Sequence, residues 1–416
     1  MATEENDAFG EQLTTRKKSR FWRILGIGAG ALVVAGGMYF GLTQSGRDAV
    51  SVGVQGIGTI AAVRQNPDLI FDHAGGDHAN ILLIGRDTDW KETKVFDPTV
   101  GKFRRGHVHD STKARSDTMI VISLDKARNT IRMISLPRDA KVYIPHNDVE
   151  TGVNKLNAAH AFGGPALLMQ TLQEEVGLTI QHYAVIKFDG FKALIDQVGG
   201  IEVNVDGALK RDRSGKLYRG NLDYDDNYGD LHIHLKPGVQ TLNGLDAHNY
   251  VRFRMDIEGD PGRIRRQQAV MRALAKKVMN QPPYRIPGLI KEVRKQFETS
   301  LSDEEIGSAA FFARGLGDAG KIQPMTLFGS YGRRGSVLLN KSKNEKLLAY
   351  IFGNTFNPDN FLQRSPTTEG DEIGSTNDTN PGARQVMIEA GILDPTSKPP
   401  THDITKVPVR TDLAKR

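Results

Sequence analysis

The stretch that decides the fold runs from residue 250 to residue 268 and reads YVRFRMDIEGDPGRIRRQQ. Its first four positions after the tyrosine alternate between apolar and basic, which predicts a strand with both arginines on one face: Val251, Arg252, Phe253 and Arg254. Asp260-Pro261 is typical of a helix start, with Asp260 as the N-cap and proline in the first turn. We therefore expect a strand, a turn and a helix.

Cationic side chains are concentrated in this stretch: Arg252, Arg254, Arg263, Arg265 and Arg266. On the predicted helix, Arg263, Arg266 and Gln267 lie at i, i+3 and i+4. An apolar face runs beside them, made of Ile264, Met271, Leu274 and Val278. Guanidinium groups around a helix N-terminus suit a phosphate or diphosphate. The alternative is a solvated, salt-bridged surface helix.

Composition excludes several classes of protein. The chain has 416 residues, and its 55 Lys and Arg against 49 Asp and Glu give a net charge of only +6. This balance does not indicate a nucleic-acid-binding protein. The absence of cysteine excludes disulfides, thiolate zinc sites and a cysteine nucleophile.

The amino-terminal region predicts a membrane anchor. Residues 1–23 are polar and basic, and residues 24–42 carry no charge, which is just long enough to span a bilayer. The positive flank predicts a cytoplasmic N-terminus, with the rest of the chain outside the membrane. A cleaved signal peptide is the alternative. Residues 43–78 form a connector, and residues 79–362 are the expected globular domain.

A predicted hairpin brings charged residues together. Residues 116–124 and 130–136 are strand-like and flank a turn, so the residues outside them share the open end of the ladder. We expect four side chains to meet there: Arg115, Asp117, Arg138 and Asp139. Asp87 joins them if the strand at 80–84 runs antiparallel to its neighbour at that end.

These residues allow two interpretations. Three aspartates, Asp87, Asp117 and Asp139, can hold a hard cation such as magnesium. A structural ion-pair network is the alternative. Two histidine pairs, His107 with His109 and His232 with His234, are weaker candidates for a metal site, because no further ligands follow at metal-site spacing.

The remaining chain alternates between helix and strand. Residues 155–162 and 165–176 are predicted helices, and residues 183–205 form a strand-helix-strand unit. From residue 363 the composition is rich in Ser, Thr, Pro, Asp and Gly. It predicts a mostly disordered tail over residues 363–416, with a short helix near 383–390.

Seven segments in order resemble the LytR-CpsA-Psr family of bacterial cell-envelope enzymes. They are NILLIGRD (80–87), ARSDTMIVISLD (114–125), ISLPRDAKVYIP (134–145), KLNAAHAFGGP (155–165), HYAVIKFDGFKALIDQVGGIEVNV (182–205), LNGLDAHNYVRFR (242–254) and GDPGRIRRQQ (259–268). The sequence departs from the family pattern at Arg86 and His248. Arg86, beside Asp87, is placed to tune metal binding.

The resemblance implies an α/β fold, a three-layer α/β/α domain with a central mixed sheet. It implies transfer of a glycopolymer from a polyprenyl-diphosphate lipid to peptidoglycan, usually to the C6 hydroxyl of N-acetylmuramic acid, assisted by Mg²⁺ or Mn²⁺. Asp87 and Asp117 match the metal-associated aspartates. The positions around the diphosphate are Arg115, Arg138, Arg252, Arg254, Arg263 and Gln267, with Arg266 added from the helix geometry. Asp139 follows the proline-arginine pair.

Several alternatives stay open. The arginines also suit a receptor for pyrophosphate lipids that does not catalyse, or a pyrophosphatase in which water replaces the sugar hydroxyl. A membrane-tethered transcriptional attenuator needs a cytoplasmic DNA-binding domain, for which about 20 residues leave no room. Asp139, Asp117 or the cation alone can deal with the proton of the acceptor hydroxyl. Apolar residues of 158–172 and 188–198 either line a tunnel for the prenyl chain or form ordinary core.

Overall fold

The computed structural model describes residues 66–86, 89–97, 102–110, 116–145, 152–226, 231–282, 285–332, 335–369 and 381–397, with the backbone alone at 89–110. The predicted membrane helix at 24–42, the basic segment before it and most of the connector lie outside the described residues. Among the helices that are described, none has the length and apolar character needed to cross a bilayer. The described residues belong to one compact unit.

The described helices are α1 (Leu69–Ala74), α2 (Leu156–Glu175), α3 (Phe188–Gln197), α4 (Gly244–Arg252), α5 (Asp260–Met279), α6 (Ile286–Gln296), α7 (Asp303–Gly315), α8 (Lys341–Phe352) and α9 (Pro381–Glu389). The first strands are β1 (His78–Arg86), β2 (Asp89–Asp97), β3 (Lys102–Asp110), β4 (Ser116–Asp125), β5 (Thr130–Ser135), β6 (Lys141–Ile144), β7 (Gly152–Lys155), β8 (His182–Lys187), β9 (Ile201–Val205) and β10 (Ala208–Arg211). The later strands are β11 (Leu217–Gly220), β12 (Leu222–Asp226), β13 (Leu231–Leu235), β14 (Gly238–Leu242), β15 (Phe297–Thr299), β16 (Ile322–Thr326), β17 (Gly329–Tyr331), β18 (Val337–Asn340) and β19 (Thr367–Thr368).

A six-stranded sheet forms the centre of the domain, in the order β15-β8-β1-β4-β5-β16. The pairs β1/β8 and β5/β16 are parallel, whereas β1/β4, β4/β5 and β8/β15 are antiparallel. The strands β1, β4 and β5 are apolar on both faces because both faces are covered. The central mixed sheet is therefore confirmed.

Helices cover both faces of this sheet. Leu82, Ile84 and Val121 face a core shared with α2, α8 and α9. Residues of opposite parity on the same strands, including Ile81 and Ile120, face a second core shared with α1, α5 and α7. This arrangement gives the three layers that were expected.

A third core lies beside the sheet, between the antiparallel pair β9/β14 and helices α3 to α6. The apolar residues of 158–172 and of 188–198 therefore divide between separate cores: Leu168 and Leu172 pack in the first core, and Leu194 and Ile195 in the third. Helix α2 bends at Gly163 and Gly164, which have non-helical backbone angles. The bend separates the two helices that were predicted.

The predicted strand at 250–254 is wrong. Residues up to Arg252 belong to α4, whose N-cap Asn243 accepts a hydrogen bond from the backbone N–H of Asp246 at 2.8 Å. The apolar alternation spanned only four residues, too few to outweigh a capped helix. Helix α5 begins as expected at Asp260-Pro261, although Gly259, not Asp260, occupies the N-cap position.

The tail is also more ordered than its composition predicts. Strand β19 pairs with β18, and α9 buries Ala383, Val386 and Met387 in the first core. Within the predicted tail, residues 363–369 and 381–397 are described, and α9 docks because a few apolar residues at helical spacing suffice. The short helix expected near 383–390 is present as α9.

Candidate active site

The open end of the β4–β5 hairpin carries a charged cluster. The ladder pairs Ile120 with Ser135 and continues with a hydrogen bond from the Leu136 N–H to the Met119 carbonyl at 2.9 Å. Continuing this register places Asp117 opposite Arg138, and Arg138 Nη1 donates to Asp117 Oδ1. The predicted meeting of these two side chains is confirmed.

Asp139 is held between two cations. Lys155 Nζ donates to its Oδ1 at 2.6 Å, and Arg138 Nε lies 3.5 Å from its Oδ2. Lys155 lies immediately before α2, and the N–H of Asn157 donates to the Arg138 carbonyl at 3.1 Å, which fixes this helix start beside the cluster. Lys155 was missed by sequence reasoning, because it lies sixteen positions away from its carboxylate partner.

The N-terminal turn of α5 brings a further cation to the cluster. Arg263 has only 10% of its side chain exposed, and its Nη2 lies 3.5 Å from Asp260 Oδ1. Burial lowers the pKa of Arg263, Arg138 and Arg254 lower it further, and Asp260 and Asp117 raise it. The charges of Arg138 and Asp117 therefore both act on Arg263, which links the start of α5 electrostatically to the cluster.

Arg263 is incompletely compensated. Its Nε is buried, and no described residue accepts the hydrogen of this nitrogen. For Arg138, burial also disfavours the charge, but Asp117, Asp139 and Asp260 outweigh burial and raise its pKa. A buried guanidinium with an unused donor at a helix N-terminus is prepared for an anion.

Arg266 does not belong to the ligand-facing set, which corrects the prediction. Its side chain is fully buried. Its Nη2 donates to Asp256, its Nη1 donates to the Phe253 carbonyl at 3.0 Å, and its Nε lies 3.4 Å from Asp206 Oδ1. Every end of the guanidinium is thus directed at the protein interior, so Arg266 is a core residue.

Arg265 is likewise engaged within the fold. Its Nη2 lies 2.7 Å from Asp206 Oδ2 and 2.5 Å from Glu258 Oε2. Burial alone raises the pKa of Glu258, but the hydrogen bonds and charge of Arg265, together with Arg219, lower that pKa to about 2. This ion-pair network stabilises the turn between α4 and α5.

The remaining predicted residues border the cluster in different ways. Arg254 is exposed in the turn between α4 and α5, near Arg263. Arg252, the last residue of α4, lies over the Phe188 ring at 5.4 Å from its centroid. Gln267 is half-buried one helical turn after Arg263, on the same side of α5. Asp87 and Arg115 lie outside the described residues.

Asp87 was expected to join the cluster if the strand before it ran antiparallel to its neighbour, and β1 does so. It runs antiparallel to β4, and its last residue, Arg86, lies opposite Ser116. In the described part of the chain, no three His, Asp or Glu side chains are arranged to hold a metal ion. His232 and His234 instead face Asp225 across the β12/β13 hairpin, at 2.8 and 3.3 Å. The side chains of His107 and His109 lie outside the description.

The cluster therefore combines positive groups with carboxylates at one end of the sheet. Arg138, Arg263, Arg254 and Lys155 surround Asp117, Asp139 and Asp260. Several guanidinium donors next to a helix N-terminus can bind a multiply charged phosphate, and the carboxylates can orient the cations or contribute to a cation site.

Comparison with known proteins gives a consistent result. The model of the LytR_cpsA_psr family matches residues 55–344. Regulatory protein MsrR of Staphylococcus aureus is 32% identical over 247 residues, covering 57% of this chain and 68% of MsrR. The polyisoprenyl-teichoic acid–peptidoglycan teichoic acid transferase TagU of Bacillus cereus is 28% identical over 293 residues, covering 70% of this chain and 82% of TagU.

Two further comparisons are narrower. The polyisoprenyl-teichoic acid–peptidoglycan teichoic acid transferase TagV of Bacillus subtilis is 35% identical over 166 residues, which cover 39% of this chain and 38% of TagV. The crystal structure of a Streptococcus agalactiae protein superposes with a TM-score of 0.54 and 24% identity, covering 72% of this chain and 93% of that one. The structural likeness shows a shared fold.

Proposed function

The chain belongs to the LytR-CpsA-Psr family, and on that premise we propose that it is a phosphotransferase. It moves a glycopolymer from a polyprenyl-diphosphate lipid to a hydroxyl of peptidoglycan, forming a phosphodiester. The names of TagU and TagV, which specify teichoic acid transfer to peptidoglycan, support the substrate classes. We propose the C6 hydroxyl of N-acetylmuramic acid as the acceptor.

The observation that carries this proposal is the buried Arg263 beside Arg138 at the start of α5. Phosphoryl transfer depends mainly on positioning and on neutralising charge at the transferred group. Two guanidinium groups fixed by the fold supply both without rearrangement. Arg254 and Arg252 extend the positive surface toward the turn before α5, where a second phosphate can bind.

Lys155 adds to this arrangement through Asp139. The pairing of Lys155 with Asp139 at 2.6 Å spreads the negative charge of Asp139 over two cations. Arg138 is then free to direct its remaining donors toward the phosphate. We propose that Lys155 and Asp139 hold Arg138 in its binding orientation.

Magnesium is a further part of the proposal, and manganese has suitable chemistry as well. Asp117 fits such an ion, because it is about one-third exposed (34%) and its Oδ1 accepts from Arg138, which leaves Oδ2 for a cation. We propose Asp87 as the second carboxylate. One or two carboxylates with phosphate oxygens and water complete a magnesium shell. When bound, the ion neutralises charge on the diphosphate.

The cellular setting follows from the predicted anchor. We propose that residues 24–42 span the bacterial cytoplasmic membrane, with the N-terminus cytoplasmic and the catalytic domain outside. This orientation places the charged cluster on the side where peptidoglycan is found. The diphosphate lipid would then reach the site from the outer leaflet of the same membrane.

The test is a reconstituted transfer reaction. The full-length protein in detergent is incubated with a polyprenyl-diphosphate oligosaccharide and peptidoglycan fragments, with Mg²⁺ or with a chelator, and the products are read by mass spectrometry. Arg263→Ala should lower transfer by roughly 100-fold, the scale for removing one preorganised charge-stabilising donor. Arg272→Ala, on the same helix more than two turns away, is the matched control and should retain activity.

The products distinguish the alternatives. Glycan joined to peptidoglycan supports the transferase. Release of phosphate without that product would indicate a pyrophosphatase. Lipid binding that needs Arg263, without any product across several acceptors, would indicate a receptor.

A further inference from the structure

Three carboxylates lie among the cations of the site, and they differ in how firmly they are engaged. Asp117 accepts a hydrogen bond from Arg138, and Asp139 is held by Lys155 at 2.6 Å and by Arg138 at 3.5 Å. For Asp260, the only contact between described side chains is the 3.5 Å approach of Arg263 Nη2. Asp260 is therefore the least engaged of the three.

The carboxylate of Asp260 lies where a negative charge disfavours phosphate binding. It lies in the first turn of α5, three residues before Arg263, with 20% of its side chain exposed. Its charge also acts on Arg138, so it lies near both guanidinium groups assigned to the phosphate. A carboxylate there repels the diphosphate, which suggests a role other than binding.

We propose that Asp260 is the proton acceptor for the incoming peptidoglycan hydroxyl, an inference that rests on the proposed function. The hydroxyl oxygen forms a bond to the sugar-linked phosphorus. The bond from that phosphorus to the bridging oxygen breaks, and polyprenyl phosphate leaves with the bridging oxygen. The hydroxyl proton passes to the carboxylate of Asp260. Atoms and charge balance without another reactant.

A carboxylate is adequate for this role. In the loose transition state of phosphoryl transfer, the nucleophile forms little bond to phosphorus, and an aspartate accepts the hydroxyl proton in protein kinases. Asp117 and Asp139 are less suited, because one oxygen of each already accepts a hydrogen bond from a cation that the site needs in place, and we assign the other oxygen of Asp117 to the metal ion. Asp260 combines partial exposure with a place next to the phosphate-binding arginines.

The charged neighbours of Asp260 come from two elements of the fold. Arg263, on the same helix, approaches it at 3.5 Å, and the charge of Asp260 also acts on Arg138, in the loop after β5. The charges of Arg254 and Asp117 act on Arg263 as well. The N-terminus of α5 adds a favourable dipole. The carboxylate of Asp260 therefore lies in a positive environment beside the arginines that we assign to the phosphate.

The experiment compares Asp260→Asn and Asp260→Glu with the full-length wild type. Single-turnover transfer and binding of the polyprenyl-diphosphate lipid are measured separately. Asp260→Asn should slow transfer by about 100-fold, within the usual range for a general base. Lipid binding should stay equal or tighten, because one negative charge is removed. Asp260→Glu, which keeps an acid, should recover part of the rate.

The matched control is Asp303→Asn, which removes a first-turn aspartate from α7, where Asp303 pairs with Arg294 at 2.5 Å. It should leave transfer within twofold of wild type. Thermal unfolding confirms that each variant folds. If Asp260→Asn does not fold, the comparison uses Asp260→Glu, which should shift the acid limb of the transfer rate against pH.

The results separate two failures. If the wild type transfers glycan and Asp260→Asn does so at a similar rate, Asp260 is not the base and the proposed function stands. Parallel loss of transfer and lipid binding would make Asp260 a positioning residue for Arg263. An unchanged acid limb in Asp260→Glu would likewise overturn the proposal. If the wild type itself gives no transfer, the proposed function fails.

Discussion

Two arginines one turn apart on α5 illustrate how a single residue's surroundings decide its role. Arg263, Arg266, Val270 and Leu274 follow helical spacing and are all buried. Arg266 meets Asp256, Asp206 and the Phe253 carbonyl within the fold, whereas the only carboxylate within 4 Å of Arg263 among the described residues is the partly exposed Asp260. Arg266 is therefore a structural cation, whereas Arg263 is the one that we propose to bind the phosphate.

Breaking the buried pair should therefore cost stability. Arg266→Met leaves the Asp256 carboxylate, which is fully buried, without its cation. We expect a loss of about 3–5 kcal/mol in the free energy of unfolding, the range for removing one partner of a buried ion pair. Urea unfolding followed by circular dichroism measures this loss.

The double variant Arg266→Met with Asp256→Leu is the control for that prediction. It removes the stranded charge as well, so it should recover much of the stability lost by Arg266→Met alone. If the double variant is no more stable than the single one, the cost lies in packing rather than in the uncompensated carboxylate.

At the residue scale, the sequence predicts contacts that follow from local register. The pairing of Asp117 with Arg138 follows from one hairpin and its turn. The pairing of Arg266 with Asp206 does not, because 60 positions separate the two residues and the approach depends on how α5 packs against the β9 region. Long-range packing therefore places Arg266 in the core, whereas helical spacing alone predicted that it binds the ligand.

At the element scale, α4 also shows that sequence alone does not predict what depends on packing. A strand was expected where the chain forms a helix, yet its consequence for the site is modest. Arg252 still ends the element and Arg254 still follows it, so both reach the turn before α5. The order of elements was predictable, whereas the type of one short element depended on a cap and on packing against α3.

The packing of α4 on α3 gives a pH prediction. The His248 ring contacts the Phe188 ring, with centroids 4.4 Å apart. Burial, followed by the charges of Arg252 and Lys192, lowers the pKa of His248 from its usual value of 6.5 to about 4. Between these values the unfolded chain binds a proton that the folded chain does not, so stability falls as the pH decreases from 6.5 to 4.

The expected size is up to about 3 kcal/mol, lost progressively across that window. Urea unfolding at pH 7, 5.5 and 4.5 measures it. His248→Phe should reduce the dependence by the share of His248, with the remainder coming from His78 and His182, whose pKa burial also lowers. His234→Gln, at an exposed histidine, is the control and should leave the dependence in place. A dependence as steep in His248→Phe as in the wild type would assign the effect to other groups.

At the scale of the whole molecule, the C-terminal segment completes the domain. The family model ends at residue 344, but the described residues after it supply Phe361, Leu362 and three residues of α9 to the first core. The polar composition of this segment concealed its apolar contacts. Its ordering reflects long-range contacts with β6 and α2, which local sequence does not reveal.

The segment is fixed by an ion pair at a buried carboxylate. Glu175, at the end of α2, is fully buried and accepts hydrogen bonds from Arg364 Nε at 2.5 Å and from Ser365 Oγ at 2.6 Å. Arg364 also lies over the Tyr143 ring, 4.1 Å from its centroid, and Tyr143 belongs to β6, which follows the Arg138 loop. The C-terminal segment thus supports the strand next to the active site.

Removing Arg364 should therefore destabilise the entire domain. Arg364→Ala leaves Glu175 buried with a hydroxyl as its remaining side-chain partner, so we expect a loss of about 3 kcal/mol in the free energy of unfolding. Glu174→Gln is the matched control: it removes the partly exposed partner of Arg364, 3.2 Å away, and should change stability by less than about 1 kcal/mol. Equal losses in the free energy of unfolding for the two substitutions would show that the burial of Glu175 does not determine the contribution of its ion pair with Arg364. A larger effect of Arg364→Ala would show that residues beyond the family match help to hold the domain together.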